Sequence, residues 1–186
     1  LAYYDAGARS FYSKEKKINS PKDLEGLKIR VMESKTAFDM VKALGGSPTP
    51  ISFGELYTSL QQGVVDGAEN NPPSFYLSRH YEVCKFYTLD EHTVLPDVLL
   101  MSTHMWDSFS DQEKKWLDQA VKESVTEQRK LWIESEKKSL DAVKKAGVEI
   151  IIPDKTLFSE KSKEILESYR DDKILYEFIE RIKKTK

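Results

Sequence analysis

Arg30 and Asn70 are the residues of this chain whose types and placement best suit gripping a small organic acid. A guanidinium can hold a carboxylate through two parallel hydrogen bonds, and an amide supplies both a donor and an acceptor. Both residues fall at or near the C-terminal end of a predicted strand, the edge where open α/β sheets place ligands. The alternative is a solvated strand-end charge at Arg30 and a turn residue at Asn70. Arg9 is a second candidate anion ligand, or else an exposed charge on an edge strand. Asn71 precedes two prolines, so it either caps a helix whose first N–H groups could meet an anion or hydroxyl, or sits in a rigid turn. Catalytic groupings are poorer. His80, His92 and His104 are too widely spaced for a helical HExxH zinc site, and no other metal-ligand spacing occurs. Glu91 and His92 could form an acid/base pair, but neighbours on a strand point to opposite faces. With no G-x-S-x-G elbow, P-loop or dinucleotide fingerprint, the sequence implies no catalytic group, metal or cofactor and does not read as an enzyme.

The elements that must position these residues lie between Leu27 and Asn70. Leu27, Ile29 and Val31 alternate as a strand. Ser34 then caps a helix carrying Ala37, Phe38, Val41 and Leu44 inward until Gly45 and Gly46. An extended piece runs from Pro48 to Ile51, and Ser52 with Glu55 forms a capping box for a helix facing Leu56, Tyr57 and Leu60 inward. Val64, Val65 and Ala68 lead into a third strand ending at Glu69 and Asn70. Strands separated by helices with short connections imply crossovers and a mainly parallel sheet. Before this block come a short tyrosine-bearing strand and a turn of helix opened by Ser20 and Pro21. After it, Phe75, Tyr76 and Tyr81 pack a helix, Phe86, Tyr87 and Leu89 mark a strand, and Val94 to Leu100 form an apolar strand bent at Pro96.

Ser110 and Glu113 cap the longest element, a helix from Ser110 to Ala146 with Trp116, Leu117, Ala120, Val121, Val125, Leu131, Trp132, Leu140 and Val143 at helical intervals. About 36 residues at ~1.5 Å each reach ~54 Å, longer than a small domain is wide, so the helix must bridge two bodies or form a coiled-coil arm; its broken heptads favour the bridge. Val148 to Ile152 is a short strand. From Thr156 to Lys186 the pattern gives two terminal helices docked through Phe158, Ile165, Leu166, Tyr169, Leu175, Phe178 and Ile179.

Composition sets the remaining bounds. A chain of 186 residues, 39% hydrophobic, can bury a real core, and a net charge of −2 leaves no basic field for nucleic acid. No apolar run approaches the ~20 residues that span a bilayer. The first residue is Leu1, so the chain reads as a processed or truncated product and the lack of a targeting segment says nothing about compartment. Cys84 is alone, which excludes an internal disulfide, and reads as a small buried hydrophobe.

The stretches GLKIRV, ALGGSPTPISFGELYTSLQQGVVDGAEN and HYEVCKFYTLDEHT closely resemble the extracytoplasmic solute-binding proteins of TRAP transporters, the C4-dicarboxylate type, along essentially the whole chain. The resemblance implies a periplasmic-binding-protein-like, two-lobed α/β fold with a long inter-lobe helix, of which the first lobe is largely missing here. Residues 1–92 would be mainly the second ligand-binding lobe with a hinge strand at 1–18, residues 93–109 would return toward the first lobe, 110–147 would be the bridging helix, and 148–186 the C-terminal strand and helices. It further implies a periplasmic or extracytoplasmic protein that binds a small organic acid and delivers it to TRAP membrane permease subunits. Arg30 matches the family's carboxylate-clamping arginine, Asn70 its amide ligand, Arg9 its second arginine and Phe53 an aromatic packed on the ligand. The ENNPPS run resembles binders of sugar acids such as uronates, in which Asn71 could reach hydroxyls, although Pro72 stands where tryptophan is more usual. A sugar acid is the leaning, a dicarboxylate the alternative. Two other readings are a ligand-sensing module docking on a membrane receptor and a hydrolase using Glu91 and His92. The fragment alone is expected to self-associate through its unpartnered strand and helix surfaces.

Overall fold

Helix and strand periods alternate through residues 1–185, the residues described by a computed structural model. The elements are β1 (Ala2–Tyr4), β2 (Ala8–Ser13), β3 (Lys28–Val31), α1 (Lys35–Ala43), β4 (Ser47–Pro50), α2 (Leu56–Gln61), β5 (Gly67–Asn70), α3 (Pro72–Leu77), β6 (Phe86–Val94) and β7 (Asp97–Leu99), then α4 (Thr103–Ser108), α5 (Asp111–Lys145), β8 (Glu149–Ile151), α6 (Lys155–Ser168) and α7 (Lys173–Lys184). Three caps expected from sequence close as hydrogen bonds. Ser34 accepts from Ala37 N, Asn71 accepts from Ser74 N, and Ser110 forms a reciprocal box with Glu113.

Six strands form one sheet in the order β4-β3-β5-β2-β6-β8. β3 is parallel to both β4 and β5, and β6 is parallel to β8, whereas β2 runs antiparallel to both β5 and β6. The expected mainly parallel sheet is therefore mixed. The helix–strand alternation from Leu27 to Asn70 fixes the parallel crossovers, but β2 enters from a separate antiparallel ribbon, β1 with β7, and so arrives in the opposite sense.

Adjacent residues of β2 serve the two faces of the sheet. Tyr12 joins Leu56, Leu60, Phe75, Tyr87 and Val143 in one core, while Phe11 joins Ile29, Val31, Val41, Leu44 and Phe158 in the other. Cys84 is buried, and burial pushes its thiol up to about 12, in keeping with a small hydrophobe. Several expected core residues lie elsewhere. Phe38 is exposed and Met40 takes its place inside, while Leu175 and Phe178 of α7 face solvent. The long helix buries only Val121, Ser139 and Val143 along its 35 residues. Phe158 and Ile165 of α6 do dock, against the Phe11 core. Lys186, the end of the expected terminal segment, lies outside the described residues.

Candidate functional site

β3 lies between β4 and β5, so Arg30 leaves the middle of the sheet with its backbone paired to Thr49 and Ala68. The residue is 3% exposed. Its Nε donates to the Ile51 carbonyl at 2.8 Å, and its guanidinium sits 5.7 Å over the Phe53 ring. That leaves the two terminal nitrogens without a protein acceptor among the described residues, and burial draws the guanidinium below its ordinary value. Phe53, half exposed at the start of the turn into α2, meets the edge of His80 at 5.7 Å. His80 is locked by Tyr12, whose hydroxyl lies 2.8 Å from Nδ1. Burial, and then the Arg30 charge, lowers His80 to about 4, so it stays neutral beside the clamp.

Arg9 sits on a central strand, not an edge, and is already paired. Its fork meets Glu69 at 2.5 Å (Nε to Oε2) and 2.8 Å (Nη2 to Oε1), and Nη1 donates to Asn70 Oδ1 at 3.0 Å. The same Asn70 oxygen also accepts from the Asn71 backbone N–H at 2.9 Å. Asn70 was expected to offer both a donor and an acceptor; with its oxygen engaged twice, it has its amide N–H groups to offer. Asn71 is chiefly a frame residue, accepting from Ser74 N at 2.9 Å and donating to the Ala6 carbonyl at 3.1 Å.

Behind Arg9 lies a network that the sequence reading passed over. The His92 side chain is fully buried, with Nδ1 2.6 Å from Asp90 Oδ2, Nε2 3.7 Å from Glu69 Oε2, and its ring stacked on Phe11 at 4.2 Å. Burial alone would lower its pKa, but Asp90 and then Glu69 outweigh it and hold the imidazole at about 9. Glu69 in turn is kept below its usual range, because the hydrogen bonds and charges of His92 and Arg9 overcome its own burial. The signal available in sequence was the presence of acids, Glu69 and Asp90, inside otherwise apolar strands. Glu91 does not pair with His92. It has a positive φ of 51° and turns outward to Lys155, so the two side chains of the supposed acid/base pair diverge.

Arg9, Arg30, Phe53, Asn70 and Asn71 converge on one open cleft of about 470 Å³, joined there by Asp97 of β7 and Trp132 of α5. Sequence reasoning had Trp132 only in the apolar stripe of the long helix and gave neither residue a binding role. A second cavity of about 340 Å³ between α1 and α6 shares Arg9 with the cleft but is walled largely by apolar groups such as Met40 and Ile165. Charge separates the two neighbourhoods. Arg9 and His92 are balanced by Glu69 and Asp90, and Arg30 is the cation left facing the cleft with unpaired donors. Such an arrangement can bind one carboxylate, with an aromatic face and amide donors for the rest of the molecule.

Over residues 1–172 the chain matches the family described as DctP, bacterial extracellular solute-binding protein, family 7. A solute-binding protein of Chromohalobacter salexigens is 39% identical over 170 residues, covering 91% of this chain and 51% of that protein. The crystal structure of a TRAP periplasmic solute binding protein from Xanthobacter autotrophicus Py2 with bound β-D-galacturonate is similar at 43% identity and a TM-score of 0.91, covering all of this chain and 62% of that one. A TRAP periplasmic solute binding protein from Chromohalobacter salexigens with bound D-glucuronate gives 37% identity and a TM-score of 0.91 over 95% of this chain and 59% of that one. The chain thus spans about half the length of the curated relatives it matches.

Proposed function

The chain belongs to the bacterial extracellular solute-binding proteins of family 7, those of TRAP transporters, and from that membership we propose that it supplies one side of a cleft for a sugar acid of the uronate type. Arg30 carries the reading: it is a guanidinium held by its Nε and by Phe53, with both terminal nitrogens free for a carboxylate. Asn70 donates to a ring or hydroxyl oxygen, and Phe53 covers an apolar face of the sugar. Arg9 acts from behind, holding Asn70 by its oxygen, while Asn71 fixes the turn that presents them both. Galacturonate and glucuronate in the related structures support a uronate over a dicarboxylate.

In this proposal residues 1–92 are mainly a second lobe with a hinge strand at 1–18, residues 93–109 lead toward a first lobe, 110–147 brace the two, and 148–186 are the C-terminal strand and helices. The acid is bound outside the cytoplasmic membrane, in the periplasm, and delivered to TRAP permease subunits. Calorimetry with D-galacturonate and D-glucuronate, on the protein with both lobes present, tests the clamp. Arg30→Lys keeps the charge and loses the two-pronged geometry, so affinity should fall by about 10-fold or more. An unchanged affinity in the lysine variant would remove Arg30 from the site and the reading with it.

A further inference from the structure

We infer that Asp97 and Trp132 form a hydroxyl-reading wall of the cleft that Arg30 lines, one that admits a sugar monoacid and turns away a second carboxylate. This inference rests on the uronate reading above and adds the residues that decide between a uronate and a dicarboxylate.

Asp97 belongs to β7, whose backbone pairs with β1 through Tyr4, so the ribbon holds it at the rim of the cleft. Among the described residues its carboxylate takes no cationic or hydrogen-bonding partner. Of the other acids around the clamp, Glu69 is paired with Arg9, Asp90 with His92 and Glu91 with Lys155, Asp5 accepts from the Gly7 N–H, and Glu136 lies against Gly7 and is not among the residues that line the cleft. Among the described residues that line the cleft, the open charges are therefore one guanidinium, Arg30, and one carboxylate, Asp97. A uronate meets both, since its carboxylate faces Arg30 while its hydroxyls are donors that an unpaired carboxylate accepts. A C4-dicarboxylate gripped by Arg30 finds like charge where a uronate finds an acceptor, and like-charge juxtaposition is the stronger half of such discrimination.

Trp132 supplies the flat surface. Its helix is long and largely exposed, yet at this point a backbone turn is packed hard against it. Gly7, at φ +68°, lies so close that a Cβ there would stand 2.8 Å from Trp132 Nε1 and would overlap the Glu136 carboxylate. The side-chain-free turn fixes the indole in the wall of the cleft that Asn71 and Phe53 also line, where a pyranose can stack on it.

The test is a comparison of D-galacturonate with succinate, by calorimetry and competition, on wild type, Asp97→Asn and Asp97→Glu with both lobes present. Asp97 is exposed on a strand, so both variants should fold, which unliganded thermal melts verify. Asp97→Asn should lower galacturonate affinity by about 3- to 10-fold and strengthen succinate, narrowing their ratio by about tenfold, while Asp97→Glu keeps the wild-type ratio. A ratio in Asp97→Asn within about twofold of wild type overturns the inference. So does an equal collapse in Asp97→Glu, which would assign the effect to shape rather than charge. Both outcomes leave the uronate reading standing as long as wild type binds galacturonate; a wild type that binds none overturns both.

Discussion

A histidine held charged inside a strand pair makes pH a probe of single residues here. His92 stands at about 9 in the folded chain against an ordinary 6.5, because Asp90 and Glu69 outweigh its burial. Its contribution to stability is thus complete below about 6.5 and is lost as pH rises through about 9. Glu69 is shifted the other way, so its contribution is present above its ordinary 4.5 and is lost as pH falls. His80, lowered to about 4, contributes fully only above its ordinary 6.5 and loses that contribution as pH falls, so the three together place the most stable range near pH 6.5. The His92 shift corresponds to a loss on the order of 3 kcal/mol between pH 6 and 9.5. Urea unfolding at the two pH values should show that slope in wild type and a much flatter one in His92→Gln; equal slopes would mean the imidazole is not held charged. Sequence could not reveal this. Arg30 was legible because it stands between Ile29 and Val31, at the end of the alternating run that begins at Leu27. The pairing of Arg9 with Glu69 joins residues sixty positions apart, and nothing in either local pattern specifies it.

At the scale of elements, local chemistry was readable wherever a cap or a turn decides the structure. Ser34, Asn71 and Ser110 each start the helix expected of them, because the signal and its target lie within three residues. Asn71 therefore lends itself to a prediction that separates frame from ligand. Asn71→Ala removes the acceptor for Ser74 N and the tie to Ala6, and should destabilise the fold by about 1 to 2 kcal/mol. Asn71→Asp retains the cap acceptor but sets a carboxylate oxygen against the Ala6 carbonyl, so it should recover only part of that loss in thermal melts. Uronate affinity in the folded Ala variant should stay within about threefold of wild type; a larger fall would give Asn71 a direct ligand contact. What was illegible at this scale is strand direction. β2 could not be seen to run antiparallel between β5 and β6 from its own six residues, since alternation fixes which face a side chain takes and not which way the strand runs.

For the whole molecule, the decisive quantity is the apolar surface that residues 1–186 leave open. On the β1–β7 ribbon Tyr3 and Val98 are at least half exposed, and so are Trp116, Leu131 and Ile133 on α5 and Ile174, Phe178 and Ile182 on α7. Strand edges and apolar stripes of this kind normally lie against another body. In relatives of nearly twice the length, additional chain is available to serve as that body. Residues 1–186 taken alone should therefore associate with themselves at tens of micromolar, through the ribbon edge or the exposed faces of α5 and α7. Light scattering tests this, and a monodisperse monomer at that concentration would show that the surfaces are tolerated in water. The same openness governs binding. In an open cleft lined by Arg30, Asn70 and Asp97, with no second lobe to close over it, an acid keeps much of its hydration. Galacturonate should accordingly bind residues 1–186 at least about 100-fold more weakly than it binds the protein with both lobes present. Equal affinities in calorimetry would mean that one wall suffices.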